Sequence, residues 1–319
     1  MKNLSIAAAL FAVSFFWSAI PGSAAMTDAA RFFHDGDGRL RLVSEKNGTS
    51  FEGTYRSAEG EYDEAALKAI HGVFGAPFDP DRPQISLRLI AFLDFLEDRL
   101  NPGALMTITS GYRSPEYNTK VRARGGLAAK ASLHQYGMAA DFMLAGVASA
   151  KVWDFVKDLG FGGTGYYHGR SVHVDVGPAR SWDEKTSGVG TGISDDNKLV
   201  GIVTDFDRYQ PGETVTLRFI RMTAFPIGVV PVFFLERRNA AGPPGQAMAF
   251  EPALAAAGDG RCPRFNDIDQ MAFIRWELPS GLPPGRYTVR ARFCGDRGPQ
   301  MPPEVATPSF AVSNGDGSH

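Results

Sequence analysis

Residues 132–141 read SLHQYGMAAD, and residues 166–177 read YYHGRSVHVDVG. Asp141 is flanked by apolar residues, and an unpaired carboxylate buried in such a strand would cost several kcal/mol. His173 and Asp175 are two residues apart in an alternating segment, so in a strand both side chains point to one face. These stretches predict two strands that carry polar groups on otherwise apolar surfaces.

The donor groups of these stretches are of the kind that bind a metal ion. His134, Asp141 and His173 could supply two imidazoles and one carboxylate, and hydrolytic zinc sites combine three such ligands with an open position for water. A glycine between the first two permits the sharp turn that lets them converge. The residues alone leave a second interpretation open, in which Asp141 pairs with Arg113 or Arg122 and the histidines are hydrogen-bonded core residues.

Periodicity predicts the elements around these stretches. Apolar residues at helical spacing predict helices over 63–73, 86–100 and 150–159, and a further helix begins at Ser114. Strands are predicted over 106–109, 139–143 and 171–176. Beyond residue 198 the pattern is β throughout, with Pro/Gly turns between short strands, which favours a sandwich. The predicted strands of this part are 199–206, 214–219, 229–236, 272–278, 287–293 and 308–312.

The ends of the chain and its composition limit the functional classes. Lys2, the apolar run 6–20 and small residues up to position 25 predict a cleaved signal peptide. An uncleaved anchor is the alternative, but the run is shorter than the roughly 20 residues that span a bilayer. A net charge of −2 gives no sign of a nucleic-acid partner. In an exported chain, Cys262 and Cys294 are expected to form a disulfide.

Three ordered blocks resemble the D-alanyl-D-alanine zinc peptidase superfamily, and most closely its exported murein endopeptidases. They are SGYRS at 110–114, SLHxxGxAxD at 132–141, and HVD at 173–175 followed by GPARSW at 177–182. The resemblance covers roughly residues 35–182. It implies an α+β fold, namely a hedgehog/D,D-peptidase-like zinc domain with an antiparallel sheet and helices. An all-β immunoglobulin-like sandwich is expected to follow it.

The expected organisation of the chain follows from these features. We predict a signal peptide, a zinc peptidase-like domain, a Gly-rich linker, a β-sandwich domain and a short tail. Their boundaries are 1–25, 26–182, 183–197, 198–313 and 314–319.

The resemblance also assigns roles to site residues. It implies that His134, Asp141 and His173 hold one zinc ion per chain and that Arg113 faces the substrate carbonyl. Several relatives have a catalytic Glu three residues before the last ligand, where this chain has Arg170. Asp175 is therefore expected to be the essential carboxylate, with His168 assisting the leaving amine. In the alternative, Asp175 only orients His173.

The resemblance implies a zinc metallopeptidase, exported to the periplasm or cell wall, that hydrolyses peptidoglycan stem peptides or their cross-links. Endopeptidase action is favoured over carboxypeptidase trimming. The C-terminal domain is expected to dock the enzyme to the wall or to an envelope protein. The alternative is a non-catalytic, zinc-containing binding or scaffold protein of the cell envelope.

Overall fold

The computed structural model describes residues 30–125, 128–238, 245, 247–254 and 260–314. The predicted signal peptide and residues 315–319 of the predicted tail lie outside these ranges. No helix in the described ranges is long and apolar enough to cross a membrane. The helices are α1 (Glu64–Phe74), α2 (Leu87–Leu100), α3 (Pro115–Ala123) and α4 (Ser149–Leu159).

The helices lie within a residue or two of their predicted positions, and local capping explains their limits. The Asp63 side chain accepts a hydrogen bond from the backbone N–H of Ala66 and begins α1. Ser114 caps α3 in the same way, and Pro115 occupies its first turn. α1 packs on the first two strands of the sheet described next, and α4 packs on its fifth and sixth strands.

The N-terminal half of the chain builds one seven-stranded sheet. Its strands are β1 (Arg39–Ser44), β2 (Ser50–Thr54), β3 (Met106–Ser110), β4 (Ala139–Leu144), β5 (Gly163–Tyr166), β6 (Val172–Asp175) and β7 (Arg180–Asp183). Their order across the sheet is β2-β1-β3-β4-β6-β5-β7.

The sheet is mixed, so the expected antiparallel sheet is present only in part. β1 and β3 are parallel because the chain crosses through α1 and α2 between them. β6 is antiparallel to β5, and the chain reverses direction again before β7. β7 therefore runs parallel to β5 and pairs with its other edge. The remaining neighbours are antiparallel, as expected.

A buried carboxylate of α2 fixes the loop before β1. Asp94 is 0% exposed, and its Oδ2 accepts hydrogen bonds from the Gly38 N–H at 2.8 Å and the Tyr55 hydroxyl at 2.7 Å. Its Oδ1 is buried and has no hydrogen bond from the described residues. Burial raises the pKa of Asp94 to about 8, so near neutral pH this carboxyl is largely protonated.

The C-terminal half is built from β-strands in two sheets. A three-stranded sheet has the order β15-β10-β8, and a larger sheet is centred on the long strand β16. The strands are β8 (Gly201–Thr204), β9 (Arg208–Tyr209), β10 (Thr214–Ile220), β11 (Ile227–Val229), β12 (Phe233–Arg238), β13 (Met248–Phe250), β14 (Arg264–Phe265), β15 (Ile274–Glu277), β16 (Gly285–Cys294), β17 (Glu304–Ala306) and β18 (Phe310–Val312).

Aromatic side chains fill the space between these two sheets. The Phe219 ring of β10 lies 6.3 Å from the Phe233 ring of β12 and 5.7 Å from the Phe293 ring of β16. The predicted strand 229–236 is two strands, β11 and β12. They are interrupted at Pro231, which has no N–H to donate to a ladder. The predicted disulfide between Cys262 and Cys294 is present.

The C-terminal half packs directly on the N-terminal sheet domain. Arg88 of α2 is buried and donates to the Thr204 carbonyl at 2.7 Å and to Asp207 Oδ1 at 2.8 Å. Arg218 donates to the Tyr136 carbonyl at 2.7 Å, and the Tyr136 hydroxyl accepts from the backbone N–H after Arg221 at 2.9 Å. The chain between the halves includes short 3-10 turns at Glu184–Thr186 and Asp195–Asn197.

Candidate active site

Residues from the sequence blocks that carry the family resemblance meet in one row that crosses five strands. Ser110, Asp141, His173, Gly165 and Trp182 are successive cross-strand partners on β3, β4, β6, β5 and β7. Partners directly opposite each other in a sheet share a face. The register of the sheet therefore gathers an aspartate, a histidine and an indole that lie far apart in sequence.

The three predicted ligands form a compact triangle. Asp141 Oδ1 lies 2.8 Å from His173 Nδ1 and 3.4 Å from His134 Nε2, and these two nitrogens are 3.3 Å apart. Tetrahedral zinc with bonds of about 2.0–2.1 Å needs ligand atoms about 3.3 Å from one another. The spacing and the mixture of donor types fit a zinc ion with an open fourth position.

A tight turn aims His134 into this triangle. His134 lies in the 3-10 turn Leu133–Tyr136, and its Nδ1–H donates to the Gly111 carbonyl at 2.7 Å, which leaves Nε2 for a metal. Gly137 ends the turn at φ 61°, and a Cβ there would lie 1.8 Å from the Gln84 carbonyl oxygen. Only glycine fits this position, so the turn geometry depends on it.

Asp175 holds His173 from the opposite side of the imidazole. It is 0% exposed, and its Oδ2 accepts from His173 Nε2 at 2.9 Å and from an Arg180 nitrogen at 2.6 Å. Its Oδ1 accepts from a second Arg180 nitrogen and from the backbone N–H groups of Gly163 and Gly177. Burial opposes ionisation, but Arg180 and His173 hold the pKa of Asp175 well below its usual range.

The Gly-rich stretch 162–165 leaves room for two side chains of β7. A Cβ on Gly163 would lie 2.3 Å from Asp175 Oδ2 and 2.4 Å from an Arg180 nitrogen. A Cβ on Gly165 would lie 2.5 Å from the Trp182 ring. Because β5 presents no side chain here, the guanidinium reaches Asp175 and the indole packs 5.0 Å from the His173 ring.

Arg113 is fixed beside the ligand triangle. Its Nε and Nη2 donate to Ser110 Oγ at 3.1 and 2.9 Å, and Nη2 also donates to Asp141 Oδ2 at 3.1 Å. Asp141 thus has one oxygen on Arg113 and the other in the triangle, so its pairing with Arg113 leaves an oxygen for a metal ion. His134 and His173 hold the pKa of Asp141 below its usual range although burial opposes ionisation.

His168 and Arg170 lie away from this group. His168 Nε2 pairs with Asp183 Oδ2 at 2.7 Å, and the imidazole packs against the Tyr166 ring at 4.4 Å. His168 does not line the cavity over the ligand triangle. Arg170 is exposed and pairs with Glu45 at 3.2 Å. The role predicted for His168 remains a prediction that this placement does not support.

The ligand triangle opens into a cavity of about 770 Å³. Tyr167, Trp182 and Glu184 line it beside the ligands, and the predicted linker forms a wall through residues 187–195. Arg221 reaches the cavity from the C-terminal half.

Three further residues of the site were not predicted from the sequence, namely Glu184, Arg180 and Arg221. Arg180 was visible in the GPARSW block, five residues after Asp175, but its bidentate contact depends on the register of β5, β6 and β7. No sequence signal marks Arg221, because only the packing of the two halves brings it to the cavity.

The comparisons with known proteins concern this first half of the chain. Residues 35–182 match a family model described as "Peptidoglycan L,D-endopeptidase MepK". The peptidoglycan L,D-endopeptidase MepK of Escherichia coli (strain K12) is 42% identical over 76 residues, which cover 24% of this chain and 42% of that protein. The probable peptidoglycan L,D-endopeptidase MepK of Haemophilus influenzae is 41% identical over 80 residues, covering 25% and 43%.

The chain thus spans less than half the length of these curated relatives. One solved structure aligns with 36% of this chain and 98% of its own chain. Its title is "Structural basis of T cell specificity and activation by the bacterial superantigen toxic shock syndrome toxin-1". The TM-score is 0.23 at 8% identity. The family match, the relatives and the ligand triangle agree: residues 35–182 are similar to the murein endopeptidase branch of the D-alanyl-D-alanine zinc peptidase superfamily.

Proposed function

We propose that this protein is a zinc-dependent endopeptidase that hydrolyses peptide bonds in peptidoglycan stem peptides or their cross-links. The observation that carries the proposal is the triangle of His134, Asp141 and His173, which has tetrahedral spacing and opens into a cavity. The names of the matched relatives support an L,D bond as the one cleaved.

The triangle would hold one zinc ion per chain. Bound zinc would supply a Lewis acid and would lower the pKa of a water molecule toward neutrality. The carbonyl of Gly111 and the carboxylate of Asp175 keep one nitrogen of each imidazole free for the metal, as hydrogen-bonded partners of metal ligands do elsewhere.

Arg113 would bind the carbonyl oxygen of the scissile bond. Its guanidinium lines the cavity and is held by two hydrogen bonds to Ser110, so it needs no reorganisation when negative charge develops on that oxygen. Its contact with Asp141 places it within reach of a substrate group beside the triangle.

Asp175 would act as a positioning residue for His173. Both of its oxygens are occupied by His173, Arg180 and two backbone amides, so it has no lone pair directed at the cavity. Loss of zinc on Asp175→Asn would support this role. The earlier prediction that His168 assists the leaving amine is tested by His168→Ala, which should then reduce turnover without reducing zinc content.

We propose Glu184 as the group that accepts the proton of the attacking water and returns it to the departing amine. Among the described residues of the cavity wall, Asp141 belongs to the triangle and Asp195 pairs with Lys130 at 3.4 Å. Glu184 lies two residues after Trp182, whose ring packs on His173. The pKa of the neighbouring Tyr167 is raised mainly by burial and by the charge of Asp141, and the charge of Glu184 adds to this effect. A carboxylate here would replace the Glu that several relatives have where this chain has Arg170.

Export and the role of the C-terminal half complete the proposal. We propose that residues 1–25 direct the chain to the periplasm or cell wall and are removed. We also propose that residues 198–313 form an immunoglobulin-like sandwich joined through the segment 183–197. Docking of this part to an envelope protein remains a prediction.

Two measurements test the proposal on the mature protein. Elemental analysis should give one zinc per chain in the wild type and none in Asp141→Ala. Digestion of purified peptidoglycan, followed by mass spectrometry of the products, should show cleaved cross-links that disappear with Glu184→Gln while zinc content is retained. Zinc without cleavage would favour the alternative, a non-catalytic binding or scaffold protein. Arg170, which stands where several relatives have a catalytic Glu, is compatible with that alternative. No zinc would refute the metallopeptidase assignment.

A further inference from the structure

The C-terminal half contributes a cation to the cavity that forms no ion pair with the described residues. Three other cationic side chains of the cavity are paired: Arg113 with Asp141, Lys130 with Asp195, and Arg180 with Asp175. Arg122 is exposed to solvent. Arg221 is partly buried, and within the described ranges its guanidinium has neither an ion pair nor a hydrogen bond with a carboxylate.

The backbone of Arg221 is held in an unusual conformation. It follows β10 with φ 60°, in the left-handed region that costs a non-glycine residue about 1–3 kcal/mol. Two contacts hold it there: the next N–H, that of Met222, donates to the Tyr136 hydroxyl at 2.9 Å, and the Thr223 N–H donates to Asn197 Oδ1 at 2.7 Å. The side chain is thus aimed at the cavity by a fixed backbone.

The guanidinium of Arg221 is poorly compensated where it lies. Its Nε is buried and unsatisfied by the described residues. Burial and the nearby charge of Arg180 lower the pKa of Arg221 to about 10, so it keeps its charge at neutral pH. A partly desolvated guanidinium binds a carboxylate strongly, because two parallel N–H groups match its two oxygens.

We infer that Arg221 forms a subsite that binds a free carboxylate of the peptide substrate. The inference rests on the proposed function, which places a peptide in this cavity. The ligand triangle and Arg221 lie in the same cavity but come from different halves of the chain. A carboxylate held by Arg221 would fix which bond of the peptide reaches the triangle, so this residue would determine specificity.

The test compares two peptides on the zinc-loaded full chain. One is a stem peptide with free carboxylates, and the other is the same peptide with every carboxylate amidated. By isothermal titration calorimetry, the free acid should bind the wild type roughly tenfold more tightly, as expected for a hydrogen-bonded ion pair that is partly exposed. Arg221→Gln should remove this preference, and Arg221→Lys should keep part of it.

The matched control is Arg122→Gln, which removes an exposed cation from the same cavity wall and should preserve the preference. Equal binding of both peptides by the wild type would overturn the inference, as would an unchanged preference in Arg221→Gln. If Arg221→Gln does not fold, Arg221→Lys decides, because an undiminished preference there also contradicts bidentate binding. Cleavage of peptidoglycan without any preference would refute the subsite alone, whereas a preference without cleavage would refute the proposed function alone.

Discussion

The absence of a side chain at position 165 is expected to be necessary for the contact between Trp182 and His173. In Gly165→Ala, the new Cβ would lie 2.5, 2.6 and 2.7 Å from three atoms of the Trp182 ring, where about 3.5–4.0 Å is the ordinary separation. The indole must therefore move by about 1 Å or rotate away. The φ of Gly165 is not positive, so alanine meets no backbone strain there.

The expected loss of unfolding free energy in Gly165→Ala follows from these contacts. Overpacking of this kind costs about 1–3 kcal/mol, and loss of the ring contact with His173 costs about 0.5–1.5 kcal/mol. Trp182 is partly exposed and can swing outward, so the two costs are alternatives rather than a sum. We expect Gly165→Ala to lower the free energy of unfolding by about 1–2 kcal/mol.

A double-mutant cycle measured by urea unfolding tests this reasoning. In a Trp182→Leu background the clashing ring atoms are gone, so Gly165→Ala should be neutral or should stabilise by up to about 0.5–1 kcal/mol. Gly169→Ala is the matched control, because a Cβ there has its nearest neighbour at 3.8 Å. A coupling energy below about 0.5 kcal/mol between positions 165 and 182 would refute the argument.

Three further predictions concern buried charges. Asp175→Asn should weaken zinc binding by about 10- to 100-fold through His173, measured by competition with a chromophoric chelator; unchanged affinity with lost turnover would instead indicate a direct role in proton transfer. Asp94 has a pKa raised to about 8 in the folded state, so its contribution to stability is complete below about pH 4 and is lost as the pH rises toward 8; thermal unfolding across this range should show that decline in the wild type and a flatter profile in Asp94→Asn. Arg88→Met should destabilise the full chain by about 3–5 kcal/mol, because it strands Asp207 in a buried contact; a loss below about 1 kcal/mol in denaturant unfolding would show that the pair is dispensable.

Local sequence was enough to propose three candidate ligands and to predict the elements that carry them. His134, Asp141 and His173 lie in short blocks whose spacing reflects one tight turn and two strands, and α1, α2 and α4 follow from apolar periodicity. Predicting which residues contact these side chains would have required the register of the strands. Gly163 and Gly165 leave room for side chains from a strand that is a neighbour only in the folded sheet, and local sequence does not show which strand that is.

The contribution of the C-terminal half could not be predicted from local pattern. Arg221 follows an ordinary alternating strand, and only the packing of the two halves brings it to the cavity. The segment 183–197 was predicted as a linker from its glycines and polarity. Those features are equally suited to a cavity wall that must approach a substrate closely, and composition does not separate the two.

The two hydrogen bonds that Tyr136 receives constrain how this chain can diverge. Its carbonyl accepts a hydrogen bond from Arg218, and its hydroxyl accepts one from the backbone N–H of Met222. The C-terminal half therefore contacts and stabilises the turn that carries His134. A different β-domain placed after residue 197 would have to offer two donors at the same points. Each contact joins a side chain of one half to the backbone of the other, so it constrains where the other backbone runs rather than which residue stands there. The two halves are therefore expected to be inherited together rather than exchanged.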